Sequence, residues 1–552
     1  MRLPLALLAS FAAFAPPLLA ALPTPDADDG GLILPPGFRA LLVADRLTDG
    51  RKIDGSGDAL RFLAPAPNGD LYAKSYRGGI FALRDTDGDA RFDQREEFGS
   101  GGGTAIALRG DWLYHSSNTT VYRYKLVPGQ LVPTTEPEVI VRDLPDEKNH
   151  AAKSFAFDAE GRLLVEVGSP ANVFGNHKAT PGVWGTQADE HQKTHGGFWR
   201  FDADKPGQTL ADGFHFSTGH RHALSLAWHP VAKDFFMVMM GRDQLDRAAP
   251  AYYDALDNAE RISEEMHRLR EGSNLGWPYT YWDPIKKARM LAPEYGGDNR
   301  IRVTDTKYAA PVVAFPAHWA PLQMAIYTGG QFPAKYRHGA FIAFHGSWNR
   351  APLPQAGYNV AFAPFDAAGN PLGTYEVFVR SDLGNGRTRM SGAALGPDGS
   401  LYVGESGRGR IWRILYTGDS TPKPTAPAAA IPIATAAQPA ATSAPINPAG
   451  RDLYLLQCAP CHMADGTGAG QMNPALAGAA VIQGDPQRLI RVILQGPAAV
   501  LPANRPKYSN AMPGYAHLRD SEVAHLVTYL RQTFGNKASA VTSTDIAAAR
   551  KK

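Results

Sequence analysis

Between Leu32 and Leu415 one phrase recurs: an apolar pair, a turn of the Pro-Asp-Gly kind, then an alternating apolar run. The clearest copies are Ala64–Tyr72 around Asn68-Gly69, Phe155–Leu164 around Glu160-Gly161, and Leu395–Val403 around Asp398-Gly399. Weaker copies are Ile106–Tyr114, Ala227–Phe236 and Gly339–Phe344. Asn-Gly and Asp-Gly between strand-like runs are hairpin signals, because these residues enter positive φ at little cost. No long amphipathic helix interrupts the series, and 56 glycines and 44 prolines suit a turn-rich β architecture. The six copies predict a six-bladed β-propeller over residues 30–416. Another all-β repeat is the runner-up.

The second constraint is Cys458-Ala-Pro-Cys461-His462. Two cysteines spaced by two residues and followed by histidine read as a covalent c-type haem site, with His462 as the proximal iron ligand. A thioredoxin-like CxxC is the competing reading. These are the only two cysteines in 552 residues, so none remains for a disulfide. Met512 is the expected sixth ligand, since methionine serves where the haem potential must be raised. Met463 and Met472 lie too near His462 in sequence to reach the opposite haem face easily. An amphipathic run, Glu522–Arg531, follows Met512. Residues 449–536 resemble the small all-α class I cytochrome c domains, and 537–552 read as a flexible tail.

Arg2, the apolar stretch Leu3–Leu19 and the small pair Ala20-Ala21 read as a signal peptide over residues 1–21. An uncleaved anchor is the alternative, although Pro16-Pro17 interrupts the apolar run, and no later run is apolar for long enough to span a bilayer. Export agrees with c-type haem attachment, and the expected location is the periplasm. A net charge of +3 with interspersed signs gives no case for nucleic acid. Residues 417–448, rich in Pro, Ala, Thr and Ser, read as a linker that keeps the haem beside the propeller.

Asp85, Asp87, Asp89, Asp93 and Glu96 take positions 1, 3, 5, 9 and 12 of an EF-hand-like loop, but Ala90 stands where the sharp turn wants glycine. A solvated hairpin tip is the favoured reading.

Several phrases carry a wider resemblance. They are Asn149-His150; Gly219-His-Arg221-His222 leading into Leu224–Pro230; Gly241-Arg242-Asp243; Asn274–Pro278; Phe344–Arg350; and Arg387-Thr-Arg389. In this order they resemble the soluble quinoprotein glucose/sorbosone dehydrogenases, and Tyr327–Pro333 with Phe344–Arg350 looks most like the sorbosone branch. The resemblance implies a six-bladed propeller binding pyrroloquinoline quinone (PQQ) and calcium. It implies His150 as the general base, a role that suits a side chain titrating near neutral pH. It implies Arg221, Arg387, Arg389 and Asn149 as PQQ contacts, and arginine's planar fork suits the carboxylates of PQQ. The Gly241 and Arg242 backbone carbonyls would hold calcium, acting as a Lewis acid. The chain departs from the family in places. The family's glutamine is missing from Gly101–Ala105, and its lysine has no counterpart, leaving Arg350 or Trp348 to fill the place. His222 replaces a common asparagine and Met390 a common aspartate. Glu264-Glu265 matches an acidic pair that can bind a second calcium, behind a long insertion, Asp246–Ile262.

The expected activity is oxidation of a sugar, aldose or related alcohol by PQQ, with electrons passed to the fused haem and on to a cytochrome or respiratory oxidase. A lactonase-like or non-catalytic propeller tethered to an electron-transfer cytochrome is the alternative. No GxGxxG follows a strand, which argues against a nicotinamide enzyme.

Overall fold

The computed structural model describes residues 22–53, 56–146, 149–173, 188–418, 448–458, 462, 466, 474–506, 508, 512, 514–516 and 518–550. The signal-peptide segment, most of the linker, Cys461, Met463 and Met472 lie outside the described residues.

Six sheets make the propeller, as the six phrases predict, all antiparallel but for a short parallel strand, Ser273–Asn274, added to the third. In blade 1 the strands run Leu60–Pro65, Leu71–Ser75, Ile80–Arg84 and Gln94–Phe98. Blades 2 to 5 open on Ile106–Arg109, Phe155–Phe157, Ser225–His229 and Pro321–Ile326. Blade 6 comprises Met390–Leu395, Leu401–Glu405 and Ile411–Tyr416, and the N-terminal strand Phe38–Ala44 completes it, with Phe38 opposite Tyr416. That pairing closes the ring by joining a strand near the start of the domain to its last.

Each clear phrase is the hairpin between the first two strands of a blade. Gly69 and Gly399 adopt φ of 96° and 83°, the left-handed region that glycine enters without Cβ strain. Middle strands such as Leu71–Ser75 and Gly339–Phe344 are buried along their whole length, because neighbouring blades cover both faces. The outer strand Gln94–Phe98 faces water and reads QREEF, the charged edge that discourages pairing with other chains. Gly339–Phe344 is a single second strand rather than a hairpin.

The C-terminal region is helical. Pro448–Gln457 crosses Asp520–Gln532 so closely that a Cβ on Gly450 would meet the His525 carbonyl at 2.2 Å. Leu489, Ile490 and Ile493 of Pro486–Gln495 pack with Val523, Leu526 and Leu530 around Tyr454.

The flexible tail needs correction. Ser543–Arg550 is a helix with Ile546 and Ala549 fully buried against this core. Arg550 Nε donates to Asp520 Oδ1 at 2.7 Å, and Thr542 and Asp545 form a reciprocal cap, with bonds of 2.7 and 3.3 Å. One isoleucine in an alanine-rich run carries too weak a periodic signal to read; the partner surface supplies the reason to fold.

Candidate functional site

Antiparallel blades place the start of every first strand at the same end of the ring as the turn between strands two and three. First strands of neighbouring blades touch around the axis. The connections entering these strands therefore line one mouth: His150–Ser154 before blade 3, Arg221-His222 before blade 4, His318 before blade 5 and Arg387–Arg389 before blade 6. The turns Gly241–Asp243 and His345–Asn349 descend from the same face. Below, Gln323 ties first strands together, accepting from Leu63 and Ala393 N–H at 2.8 and 3.1 Å and donating to the Leu63 carbonyl at 2.8 Å.

His150 sits in the left-handed region, φ 54°, a costly conformation for a residue with a Cβ. Its Nδ1 lies 2.9 Å from the Ser169 carbonyl and 3.1 Å from the Ser169 hydroxyl. A carbonyl only accepts, so Nδ1 carries the hydrogen and Nε2 is the basic nitrogen. Nε2 makes no hydrogen bond to any described residue, the arrangement a base requires. Burial first, then the Arg221 and His222 charges, push His150 well below the ordinary histidine range. Its ring centroid is 5.0 Å from that of His222, whose Nδ1 is 3.1 Å from the fully buried Glu166. Burial opposes ionisation of Glu166, but His222 and His220 outweigh it and hold the acid at about 2. Asn149 is exposed and donates to the Pro170 carbonyl at 3.2 Å.

Arg221 points inward but is committed: Nη1 donates to the Gly241 carbonyl at 3.0 Å and Nη2 to Asp243 at 2.7 Å. Burial alone would raise Asp243; the Arg221 guanidinium, with His318 and Asn349, holds it well below the usual carboxylate range. In this arrangement the Arg221 guanidinium already supplies positive charge at the Gly241 carbonyl. The Arg242 side chain turns away into a buried pair with Glu294.

Glu264 and Glu265, expected as a shared calcium pair, are split by the strand, which sends adjacent side chains to opposite faces. Glu264 accepts from Gly241 and Ala320 N–H at 2.8 and 3.0 Å, and burial pushes it up to about 7. Glu265 pairs with Arg289 and His267, each at 3.1 Å. The insertion contributes the Ala255–Glu260 helix, whose Asn258 accepts from His318 at 2.7 Å and donates to the Asn349 carbonyl at 3.3 Å.

On the other side of the mouth, Arg389 Nη1 donates to the His345 and Gly346 carbonyls at 3.3 and 3.1 Å. Arg387 is half-buried, and the charges of both arginines bear on Tyr358. The two arginines precede the strand rather than alternating along it. Arg350 is not drawn into this group: its guanidinium braces the Ala259 and Ala317 carbonyls at 3.0 and 2.9 Å. Trp348 is 44 % exposed.

Arg61, which sequence reasoning missed, is a further cation at this mouth, close enough to Arg389 to feel its charge. It lies over the Tyr76 ring at 4.4 Å, its Nε is buried without an acceptor, and no described residue accepts from its guanidinium. Burial disfavours its charge, and the Arg389 charge adds to the penalty that Tyr76 and Asp58 offset. An arginine does not shed its proton, so an anion is what relieves such a site. Arg61, Arg389 and Arg387 thus fit the carboxylates of PQQ. No local motif marks Arg61; only ring closure brings blade 1 beside blade 6.

The haem site fits equally well. His462 is buried, and its Nδ1 lies 3.0 Å from the Pro474 carbonyl, which fixes the hydrogen there and leaves Nε2 for iron. Burial pushes His462 below its ordinary value, favouring the neutral, ligating ring. Cys458 is buried in the helical core, and Met512 packs against the same core.

At the Asp85 loop, carboxylate oxygens of Asp85, Asp87 and Asp89 lie within 4.8 Å of one another. Ala90 takes φ 70°, making the turn without glycine, while Asp85 accepts from Gly88 and Ala90 N–H, both at 2.8 Å. It is the hairpin tip between the third and fourth strands of blade 1.

Among solved structures, a Trichoderma reesei carbohydrate-active enzyme of family AA12 superposes with a TM-score of 0.57 at 19 % identity, covering 70 % of this chain and 98 % of that one. The PQQ domain of pyranose dehydrogenase from Coprinopsis cinerea gives 0.54 at 18 % identity, covering 70 % and 97 %. In sequence, the cytochrome c subunit of a quinone alcohol dehydrogenase from Gluconobacter oxydans is 44 % identical over 101 residues, 18 % of this chain and 21 % of that protein. A PQQ-dependent pyranose dehydrogenase from Coprinopsis cinerea is 30 % identical over 138 residues, 20 % of this chain and 18 % of that protein. The chain therefore spans about a fifth of the length of each of these two relatives. The TrAA12-like family matches residues 34–417 and the cytochrome c family residues 448–534. The chain belongs to the TrAA12-like family, as a PQQ-dehydrogenase-like six-bladed propeller fused to a cytochrome c domain.

Proposed function

We propose that the protein is an exported, periplasmic dehydrogenase that oxidises a sugar or related alcohol, handing the electrons through its own haem to a downstream cytochrome or respiratory oxidase. The observation that carries this reading is the pairing, at one mouth, of a histidine and an arginine whose basic nitrogen and guanidinium find no partner among the described residues. His150 Nε2 takes the proton of the substrate hydroxyl while Ser169 holds the ring by Nδ1. Arg61, Arg389 and Arg387 would hold PQQ, whose carboxylates suit their charge, and bound PQQ would supply the hydride-accepting quinone. His222 and Glu166 pack behind His150 and limit its rotation. Cys458 and Cys461 would attach the haem and His462 and Met512 would bind its iron; bound haem carries the electrons out singly. Calcium at Gly241 and Arg242 belongs to the same proposal. The sugar preference is supported by the similarity to the pyranose dehydrogenase of Coprinopsis cinerea. Among the described residues no helix is long and apolar enough to cross a membrane.

Haem absorbance of purified protein tests the reading, with PQQ and calcium added and then a panel of aldoses and alcohols. Reduction that needs PQQ and a substrate together supports it; reduction by dithionite but never through PQQ overturns it. His150→Ala should slow substrate-driven reduction by about 10²–10⁴-fold. Because His150 is held low, the acid limb of the parent's rate profile should fall below the ordinary histidine range.

A further inference from the structure

Among the described residues, the apolar core of the haem domain takes in one loop of the propeller. Ala351 is 8 % exposed and belongs to the buried apolar cluster that contains Tyr454, Cys458, Ile490 and Leu526. Among the described residues it is the propeller's contribution to that cluster. The loop carrying it is braced from within. Ser347 Oγ donates to Gln355 Oε1 at 2.6 Å and accepts from Ala356 N–H at 3.0 Å, and Tyr358 donates to the Ser347 carbonyl at 2.9 Å. Arg350 anchors it to the Ala259 and Ala317 carbonyls behind.

The same loop is part of the candidate site. Its first residues, His345 and Gly346, accept from Arg389, and Asn349 donates to Asp243. Ala351 lies two positions after Asn349, a backbone reach of at most about 7 Å. One rigid segment therefore touches the cation-lined mouth with one end and the haem domain with the other. A tether by itself raises local concentration to the order of mM but fixes no orientation. A buried apolar contact fixes one.

We propose that the 345–358 loop is the docking platform for the chain's own haem domain, so that electrons leave the propeller by the face on which they are gained. The contact stands on the packing alone; its consequence for electron flow rests on the dehydrogenase reading above.

The test is Ala351→Glu in the full-length, haem-loaded protein, with Pro354→Glu, an exposed position in the same loop, as the control. A carboxylate at Ala351 enters an apolar contact without a partner, which burial penalises heavily. Without PQQ, amide hydrogen exchange in 345–358 should rise in Ala351→Glu and match the parent in Pro354→Glu. With PQQ and substrate, haem reduction should slow about tenfold or more, as only the tether's effective concentration remains. Turnover with a small soluble dye acceptor should stay at the parent's rate, which with an intact haem spectrum shows both domains folded. Unchanged exchange together with unchanged haem reduction overturns the platform. If the parent itself cannot reduce the dye, the dehydrogenase reading fails, and the exchange result still decides the docking.

Discussion

The two halves of this chain assemble their sites in opposite ways. The haem half concentrates its covalent chemistry in five consecutive residues, Cys458 to His462, so the site is local and the fold has only to bring Met512 across. The propeller spreads its site from Arg61 to Arg389, and no two neighbours in the mouth need be neighbours in sequence. Local chemistry survives as a motif; distributed chemistry survives only as positions in a repeat. It follows that damage should be confined in one half and graded in the other.

The sharpest way to break that contrast is Cys458→Ser. Covalent haem should be largely lost, seen as haem extractable from denatured protein, while PQQ-dependent turnover with a soluble dye persists. Loss of both would show that the halves do not fold independently. Next comes Ile546→Ala, which removes a fully buried side chain and should cost about 2–5 kcal/mol. The loss should appear in the thermal unfolding of the haem half and leave the propeller transition in place. An unchanged transition would return 537–552 to a flexible tail.

Glu264→Gln sharpens the contrast on the propeller side. The folded Glu264 is held at about 7, above its ordinary 4.5, so the stability it contributes is full below 4.5 and is lost as pH rises through about 7. The variant carries no charge, so it should gain on the parent between pH 5 and pH 8, by about 3 kcal/mol at most for a shift of this size. Equal melting differences at both pH values would show that Glu264 is ionised throughout. Smallest is Arg61→Gln, which should weaken PQQ binding by about 10- to 100-fold, the range of a hydrogen bond to a charged group. The haem spectrum should not move. Unchanged PQQ affinity would remove Arg61 from the cradle.

The expectations failed where geometry beyond the chain's own repeat decides. Glu264 and Glu265 look like one acidic site in sequence, but the strand's alternation divides them between Gly241 and Arg289. Arg350 looks like a replacement cation, yet backbone carbonyls consume it. Ser543–Arg550 folds because a partner surface exists for Ile546, something its own alanine-rich composition does not announce.

Hairpin turns, the haem motif and the number of blades were determined by the sequence alone, because each depends on residues close together in the chain. The family phrases named His150, and elementary chemistry named its task. Only the tertiary structure decided which nitrogen of His150 faces the mouth, that Arg221 is already paired, and that Arg61 finds no acceptor among the described residues. The first two depend on contacts within one blade, and the last on which blades become neighbours when Phe38 pairs with Tyr416 and the ring closes. Burial and the charged neighbours it brings together then set the charge states inside, and both are properties of the folded propeller.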